Sequence, residues 1–277
     1  MSALGGGAGG GEGMNPTATI VGLVIMLIAL AATFVVGGMS AALVLVGIII
    51  GGVLVGFGVH FVPVGGAPAA MGQAPGIATG VAMLAAGAGL AGLFGGAWAA
   101  ELGLAVALAG GAVGGGLMMA ITCMFVNIVY VFGMGIPSAS GKVDKDPITG
   151  DTFPAYKSQG TEGHGLPFIS YVGGVIGGAL GGLGGTLIYI QLLNLYEEML
   201  PTMLNASAEE ILPVAISLAG IFAVGMFLVN AVIAAYNITG TIEGPHDPKF
   251  KRFPRAVVGA AIASAVCGLV AILIVAV

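Results

Sequence analysis

Long apolar runs separated by short polar segments make up most of this chain. The run from Phe168 to Tyr196 contains no charged residue, and as a helix it would reach ~44 Å, beyond the ~30 Å hydrocarbon core of a bilayer. Similar runs recur, and none alternates polar and apolar positions as a transmembrane barrel would. We therefore predict an all-α, polytopic transmembrane helical bundle of six to seven spans. The predicted spans are residues 17–36, 39–59, 77–97, 104–132, 167–195, 211–238 and 255–276.

Glycine recurs at every fourth position of the Phe168–Tyr196 run. In water each glycine inside a helix costs about 1 kcal/mol relative to alanine. In lipid the backbone must bond to itself, so a helix is still the favoured structure. A bare glycine face lets a second helix approach closely. We expect Gly-rich helix interfaces here, and we expect partner chains to cover them. The glycines are Gly173, Gly177, Gly181 and Gly185.

The start of the chain divides into a tail and a first helix. We predict that residues 1–16 form a flexible Gly-rich tail. Residues 17–277 are predicted to form a single transmembrane domain. Asn15 followed by Pro16 is typical of a helix start. The pair Gly37-Gly38 must separate the first two spans by a very tight turn.

The composition excludes several classes of protein. The chain is 58% hydrophobic and 7% charged, with a mean hydropathy of +1.10, whereas soluble domains carry about 25% charged residues. With 7 Lys and Arg in 277 residues, we expect no nucleic-acid partner. The expected surroundings of the chain are the lipid bilayer. Cys123 and Cys267 fall inside apolar spans and predict packing rather than a disulfide or a metal site.

The charged residues predict an orientation. All 7 basic residues fall in two loops that lie two spans apart and so share one side. The positive-inside rule makes that side cytoplasmic. Cytoplasmic loops are then predicted at 60–76, 133–166 and 239–254, with the N-terminus cytoplasmic and the C-terminus external. The external side holds Glu101 and a loop between the fifth and sixth spans that carries Glu197, Glu198, Glu209 and Glu210.

Few polar residues lie inside the spans. Those near the inner ends are Thr122, Asn127, Asn230, Tyr236 and Asn237. We single out two asparagines, Asn127 of the fourth span and Asn230 of the sixth. Their amide oxygens could coordinate Na⁺, or their side chains could bind neighbouring helices. No Asp, Glu, Lys, Arg or His lies in the middle of any predicted span. No catalytic residue is predicted, and whether the chain holds a metal is left open.

The first cytoplasmic loop is apolar but carries helix-breaking residues. The stretch from His60 to Met71 includes Pro63, a second proline and a glycine pair. Backbone of this kind at membrane depth must be buried in protein or line a cavity. The stretch could be a re-entrant segment beside an ion pathway, or it could be an ordinary tight loop.

The other cytoplasmic loops carry the remaining histidines. Glu162 with His164, and His246 with Asp247, could be acid–base pairs, or they could hold loop structure or meet a partner. We count Glu162 and His164 with His60, Pro63, Asn127 and Asn230 as ion-pathway candidates. The candidates for docking another protein of an assembly are His246, Asp247, Lys249, Lys251 and Arg252.

Three stretches resemble a known family. VGFGVHFVPVGGAPAAM (Val55–Met71), GTEGHGLP (Gly160–Pro167) and GTIEGPHDPKFKR (Gly240–Arg252) resemble the D-subunit family of tetrahydromethanopterin S-methyltransferase, the membrane-bound methyltransferase of methanogenic archaea. The resemblance runs from about Leu45 to near the C-terminus. It identifies no catalytic residue in this chain.

The resemblance implies a role within a complex. The complex transfers a methyl group from N5-methyl-tetrahydromethanopterin to coenzyme M through a corrinoid, and it couples this transfer to Na⁺ export. The chain has no long soluble segment, so we expect the corrinoid on a partner subunit and no cofactor on this chain. Other membrane and cytoplasmic subunits are the expected partners. The alternatives are a purely structural membrane scaffold and a free-standing secondary transporter.

Overall fold

The computed structural model is all-helical in the part of the chain that it describes. That part comprises residues 14–62, 89–126, 128, 129, 133, 145, 146, 148–152, 168–238 and 252–276. Within it, the only strand-like pairing is an isolated bridge between Lys145 and Thr152. Five described helices are long and apolar enough to cross a membrane. The predicted fold class is therefore confirmed, and the tail at residues 1–13 lies outside the described residues.

The helices closely follow the predicted spans. We number them in chain order, and α2 denotes the helical residues 89–98 at the end of the predicted third span. The other helices are α1 (Pro16–Phe61), α3 (Leu104–Val126), α4 (Phe168–Leu204), α5 (Ala208–Ile238) and α6 (Phe253–Ala276).

Helix α1 is a hairpin of two antiparallel arms, residues 16–37 and 39–61. Gly38 interrupts it with φ 68° and ψ −160°. A side chain at Gly22 would overlap Ile262, and one at Gly52 would overlap Ser264, so both arms pack at the same level of α6. In a straight helix, residues 22 and 52 would stand about 45 Å apart. The very tight turn predicted at this glycine pair is confirmed.

The first arm begins where the sequence predicts. The Asn15 side chain accepts a hydrogen bond from the Ala18 amide at 3.1 Å, and Pro16 occupies the first turn. The cap satisfies one of the amide groups that a helix start leaves without an intrahelical partner.

The connection between α4 and α5 is shorter than predicted. Helix α4 continues to Leu204, and α5 begins at Ala208. Ser207 starts the new helix, because its amide and hydroxyl both donate to the Glu210 carboxylate at 3.0 Å in a capping box. The expectation that this loop holds four glutamates is therefore wrong. Glu197 and Glu198 belong to α4, and Glu209 and Glu210 belong to the first turn of α5.

The glycine face of α4 is filled by helices of the same chain. Gly177 packs against the Gly58 carbonyl of the second arm of α1, and Gly184 packs against Gly51. On the other side Gly182 meets Gly111 of α3. The expectation that this face is left for another protein is therefore wrong. Glycine lets these helices approach until their backbones touch.

Antiparallel packing gives the bundle two distinct ends. At one end Tyr171 donates to the Cys123 carbonyl at 2.9 Å, where α3 ends beside the start of α4. At the other end Tyr196 donates to the Ala271 carbonyl, which joins the last turns of α4 and α6.

We name the two ends by their charges. The basic end holds Arg252 and Arg255 with His60, and the acidic end holds Gly38 and every glutamate among the described helices and turns. Residue 16 lies at the basic end because α1 folds back, and Ala276 lies at the acidic end. The membrane side of each end stays a prediction.

Candidate functional site

Asn230 is a buried polar residue between three helices. Its side chain is 0% exposed, and its amide nitrogen donates to the Met226 carbonyl at 2.8 Å and to the Ser264 hydroxyl at 2.9 Å. A carbonyl can only accept, so the nitrogen must face Met226 and the orientation of the amide is fixed. The amide oxygen Oδ1 then points away from both groups. It has no hydrogen-bond partner among the described residues.

A glycine makes room for this cluster. A Cβ atom at Gly52 would lie 2.7 Å from the Asn230 amide nitrogen and 2.9 Å from Cβ of Ser264. The second arm of α1, α5 and α6 therefore meet around Asn230 only because residue 52 has no side chain.

The free oxygen of Asn230 suits a water molecule or a cation. Leaving a buried acceptor unsatisfied costs about 1–3 kcal/mol, so such an atom points to a ligand. An amide oxygen is the type of ligand that hard cations prefer. One oxygen does not complete a coordination shell, so the remaining ligands would come from water or from another chain.

His60 is the buried residue at the basic end. It lies in the last turn of α1 rather than in the loop, and it is 0% exposed. Its Nδ1 donates to the Gly56 carbonyl at 2.8 Å, and its Nε2 faces the Asn237 amide nitrogen at 3.4 Å. Because a carbonyl accepts from Nδ1, Nε2 is the nitrogen that accepts. The ring of Phe253 meets the imidazole edge-on at 5.3 Å.

Asn237 ties α5 to the start of α6. Its amide nitrogen donates to the Arg252 carbonyl at 2.9 Å, and its amide oxygen accepts from Arg255 Nε at 2.7 Å. The Arg252 guanidinium in turn donates to the Asn237 carbonyl at 3.3 Å. Arg252, a predicted docking residue, thus makes contacts inside its own chain.

The structure brings some of the predicted site residues together. His60 and Arg252 both contact Asn237, whereas Asn230 lies about two helical turns earlier in α5. The remaining predicted site residues fall outside the described residues, and their roles stay predictions. They are Pro63, Asn127, Glu162, His164, His246, Asp247, Lys249 and Lys251.

Two residues that complete these contacts are not among the predicted site residues, although Asn237 is one of the polar residues noted within the spans. Asn237 follows Asn230 by seven residues, a spacing that places both on one face of a helix. Ser264 is the only hydroxyl-bearing residue in α6. The seven-residue spacing indicates Asn237, and the single hydroxyl in an otherwise apolar helix indicates Ser264.

Neither cluster is a preformed site for a tightly held metal. In the described portion of the chain, no three His, Cys, Asp or Glu side chains converge as metal ligands. Cys123 and Cys267 are free thiols on α3 and α6.

Comparison with known proteins decides the family. The model of the MtrD family, the D subunits of tetrahydromethanopterin S-methyltransferase, matches residues 41–264. The chain belongs to this family. The resemblance noted in the sequence is thus confirmed, and family membership makes the chain part of a methyltransferase complex, with other subunits as its partners. The whole first arm of α1, residues 16–37, precedes the matched range.

Curated relatives match more than four fifths of the chain. The D subunit of the same enzyme from Methanothermobacter marburgensis is 53% identical over 237 residues, which is 86% of this chain and 98% of the relative. That of Methanosarcina barkeri is 51% identical over 235 residues, or 83% of this chain and 92% of the relative. That of Methanocaldococcus jannaschii is 43% identical over 242 residues, or 85% and 98%.

Proposed function

We propose that the chain is an integral membrane subunit that helps couple methyl transfer to Na⁺ export. The methyl group would pass from N5-methyl-tetrahydromethanopterin to coenzyme M through a corrinoid on a partner subunit. Membership of the MtrD family and the five long apolar helices support this assignment. The basic end would face the cytoplasm, as the positive-inside rule predicts.

The free amide oxygen of Asn230 is the observation that carries a role in ion movement. It is buried, its orientation is fixed by Met226, and nothing in the described part of the chain bonds to it. It would serve as one neutral ligand, or as an anchor for a coordinating water, on the Na⁺ path. The described spans carry no Asp, Glu, Lys, Arg or His at mid-depth, so the charged ligand would come from a partner subunit.

The test uses the intact complex with Asn230→Ala. We expect the Na⁺ concentration that half-activates methyl transfer to rise about tenfold, as loss of ~1.4 kcal/mol of binding would give. Uptake of ²²Na⁺ into vesicles should fall in parallel. The double variant Asn127→Ala plus Asn230→Ala extends the test to the second candidate asparagine.

Thr186→Val is the matched control. Thr186 is also 0% exposed and bridges two helices, but its hydroxyl is satisfied by the Gly92 carbonyl at 3.2 Å. It should lower stability and leave the Na⁺ dependence unchanged. If Asn230→Ala and Thr186→Val both leave the Na⁺ dependence unchanged, Asn230 is not on the ion path.

A structural scaffold is the second candidate, and one observation favours it. The polar groups of Asn237, Arg252 and Arg255 bond to one another across α5 and α6. A scaffold would use the neighbouring loop only for docking. Neutralising Lys249, Lys251 and Arg252 would then reduce co-purification of the other subunits without changing the Na⁺ dependence of the complex that remains.

A further inference from the structure

A notch opens at the acidic end because the helices differ in length. Helices α2 and α4 run parallel, with Gly92 beside Gly182 and Gly96 beside Thr186. The short 3₁₀ turn at Ala100–Leu102 therefore stands level with about residue 190 of α4. The rest of α4, to Leu204, rises roughly 20 Å past that turn at 1.5 Å per residue.

A cavity of about 370 Å³ fills this notch between the turn, α4 and α5. Its mouth carries two carboxylates and an amide, from Glu101, Glu197 and Asn194, all of them exposed. Its floor is apolar apart from Tyr189. No Lys, Arg or His belongs to the described residues that line it.

Tyr189 shows that the cavity is more than an acidic surface. Its side chain is only 6% exposed, yet it lines the cavity and its hydroxyl bonds to no described residue. A buried phenol usually finds a hydrogen-bond partner. The hydroxyl is open to the cavity, so it is available to a ligand there or to the water around that ligand.

We infer that this cavity binds a hydrated Na⁺ ion at the acidic end of the bundle. Carboxylate, amide and phenol oxygens are hard ligands that suit such a cation. Two carboxylates beside an apolar floor attract it more strongly than two fully solvated ones, because charge interactions grow as the dielectric constant falls. The inference rests on the proposed function for the identity of the ion, since these oxygens would also suit other hard cations.

The ligand set favours weak binding, which suits a release site. Only two carboxylates line the cavity, and no described cluster of three acidic or metal-binding side chains exists. The volume leaves room for water between the ion and its ligands. A cation arriving through the complex would pause here and then leave at the acidic end.

Carbodiimide labelling of the intact complex tests the inference. A water-soluble carbodiimide with an amine nucleophile is applied in NaCl or in choline chloride of equal ionic strength, and labelled carboxylates are counted by mass spectrometry. Na⁺ at about ten times its dissociation constant should slow labelling of Glu101 and Glu197 roughly tenfold. Glu198 and Glu209 are exposed glutamates of the same end that do not line the cavity, and they serve as internal controls.

A second variant tests the floor of the cavity. Tyr189→Phe removes one oxygen and should raise the Na⁺ concentration for half-protection about fivefold, which corresponds to ~1 kcal/mol. If the Na⁺ concentration for half-protection does not change in this variant, the inference is wrong. The cavity would then offer only the two exposed carboxylates at its mouth.

Other outcomes would also overturn the inference. Equal protection of all four glutamates would indicate screening alone. Protection by Mg²⁺ but not by Na⁺ would assign another ion. If Glu101 and Glu197 react only after the other subunits are removed, a partner's basic side chain fills the cavity. If Na⁺ protects Glu101 and Glu197 in a complex that transports no Na⁺, the cavity binds the ion but the proposed function is wrong. Failure of the site and failure of the proposed function therefore give different results.

Discussion

Gly58 and Gly177 bring two helices into backbone contact. A Cβ atom at Gly177 would lie 2.5 Å from the Gly58 carbonyl oxygen, and one at Gly58 would lie 2.6 Å from the Gly177 carbonyl oxygen. Real Cβ atoms do not approach a carbonyl this closely, and a backbone cannot swing aside as a side chain can. This contact sets the distance between the second arm of α1 and α4, and it fixes where the basic-end cluster can form.

Replacing one of these glycines should push the helices apart. We expect Gly177→Ala to destabilise the protein by about 1–3 kcal/mol, the range of overpacked cores. The melting temperature of the purified complex should fall by several degrees. Gly225→Ala is the matched control, because nothing lies within 4 Å of that position on α5. It should be neutral or slightly stabilising, since alanine favours the helix. Equal losses in both variants would contradict the packing argument.

Gly38 should be irreplaceable for a different reason. Its φ of 68° with ψ of −160° lies in a region that only glycine readily adopts, and a side chain there would meet nothing within 4 Å. We expect Gly38→Ala to cost about 1–3 kcal/mol through backbone strain alone. Gly220→Ala on α5 also has open space around it and should have little effect. The measurement is the folded yield and melting temperature of the complex. Equal yields would show that the turn tolerates a side chain.

The contact of Gly52 with Ser264 should show coupling between the two positions. Gly52→Ala would push a methyl group into Ser264 and the Asn230 amide nitrogen, at an expected cost of about 1–3 kcal/mol. Ser264→Gly removes the obstructing hydroxymethyl group, so the double variant should lose less than the sum of the single ones. A double-mutant cycle on melting temperatures measures the difference. Strict additivity would mean that the helices move apart rather than clash.

The sequence predicted the helices well because the apolar runs are long and their borders are marked chemically. Asn15 and Pro16 signal the start of α1, and the Gly37-Gly38 pair signals its reversal. In lipid, every backbone group must be bonded within the helix, so hydropathy alone determines most of the architecture.

Contacts between helices were not predictable in the same way. The glycines of α4 indicate that some helix approaches closely, but they do not say which one. Partners were expected at positions where Gly58 and Gly111 of the same chain already pack. The two glutamates after Tyr196 predict a loop by their charge, yet α4 continues through them to the capping box at Ser207. Charge marks where a helix leaves the membrane, not where it ends.

The Asn237 contacts should hold the basic end together. Asn237→Ala removes the acceptor for Arg255 and the donor to the Arg252 carbonyl. Because hydrogen bonds to charged groups contribute about 1.5–3 kcal/mol, we expect a loss of that order. Tyr236→Phe changes an exposed neighbour, 68% exposed on the same helix, and is expected to leave stability within ~0.5 kcal/mol. The melting temperature of the complex is the readout. An unchanged value for Asn237→Ala would show that these bonds contribute no net stability.

Side-specific labelling should settle the orientation of the bundle. Met14 precedes α1 at the basic end and is 43% exposed, whereas Glu101 and Glu209 lie at the acidic end. Cys123 and Cys267 lie within spans and are replaced by alanine first.

If the positive-inside rule holds, a membrane-impermeant maleimide added to intact cells should label Glu101→Cys and Glu209→Cys but not Met14→Cys. Inside-out vesicles should give the reverse pattern. Labelling of Met14→Cys together with Glu101→Cys from one side would contradict the hairpin at Gly38, because the two ends would then share a face.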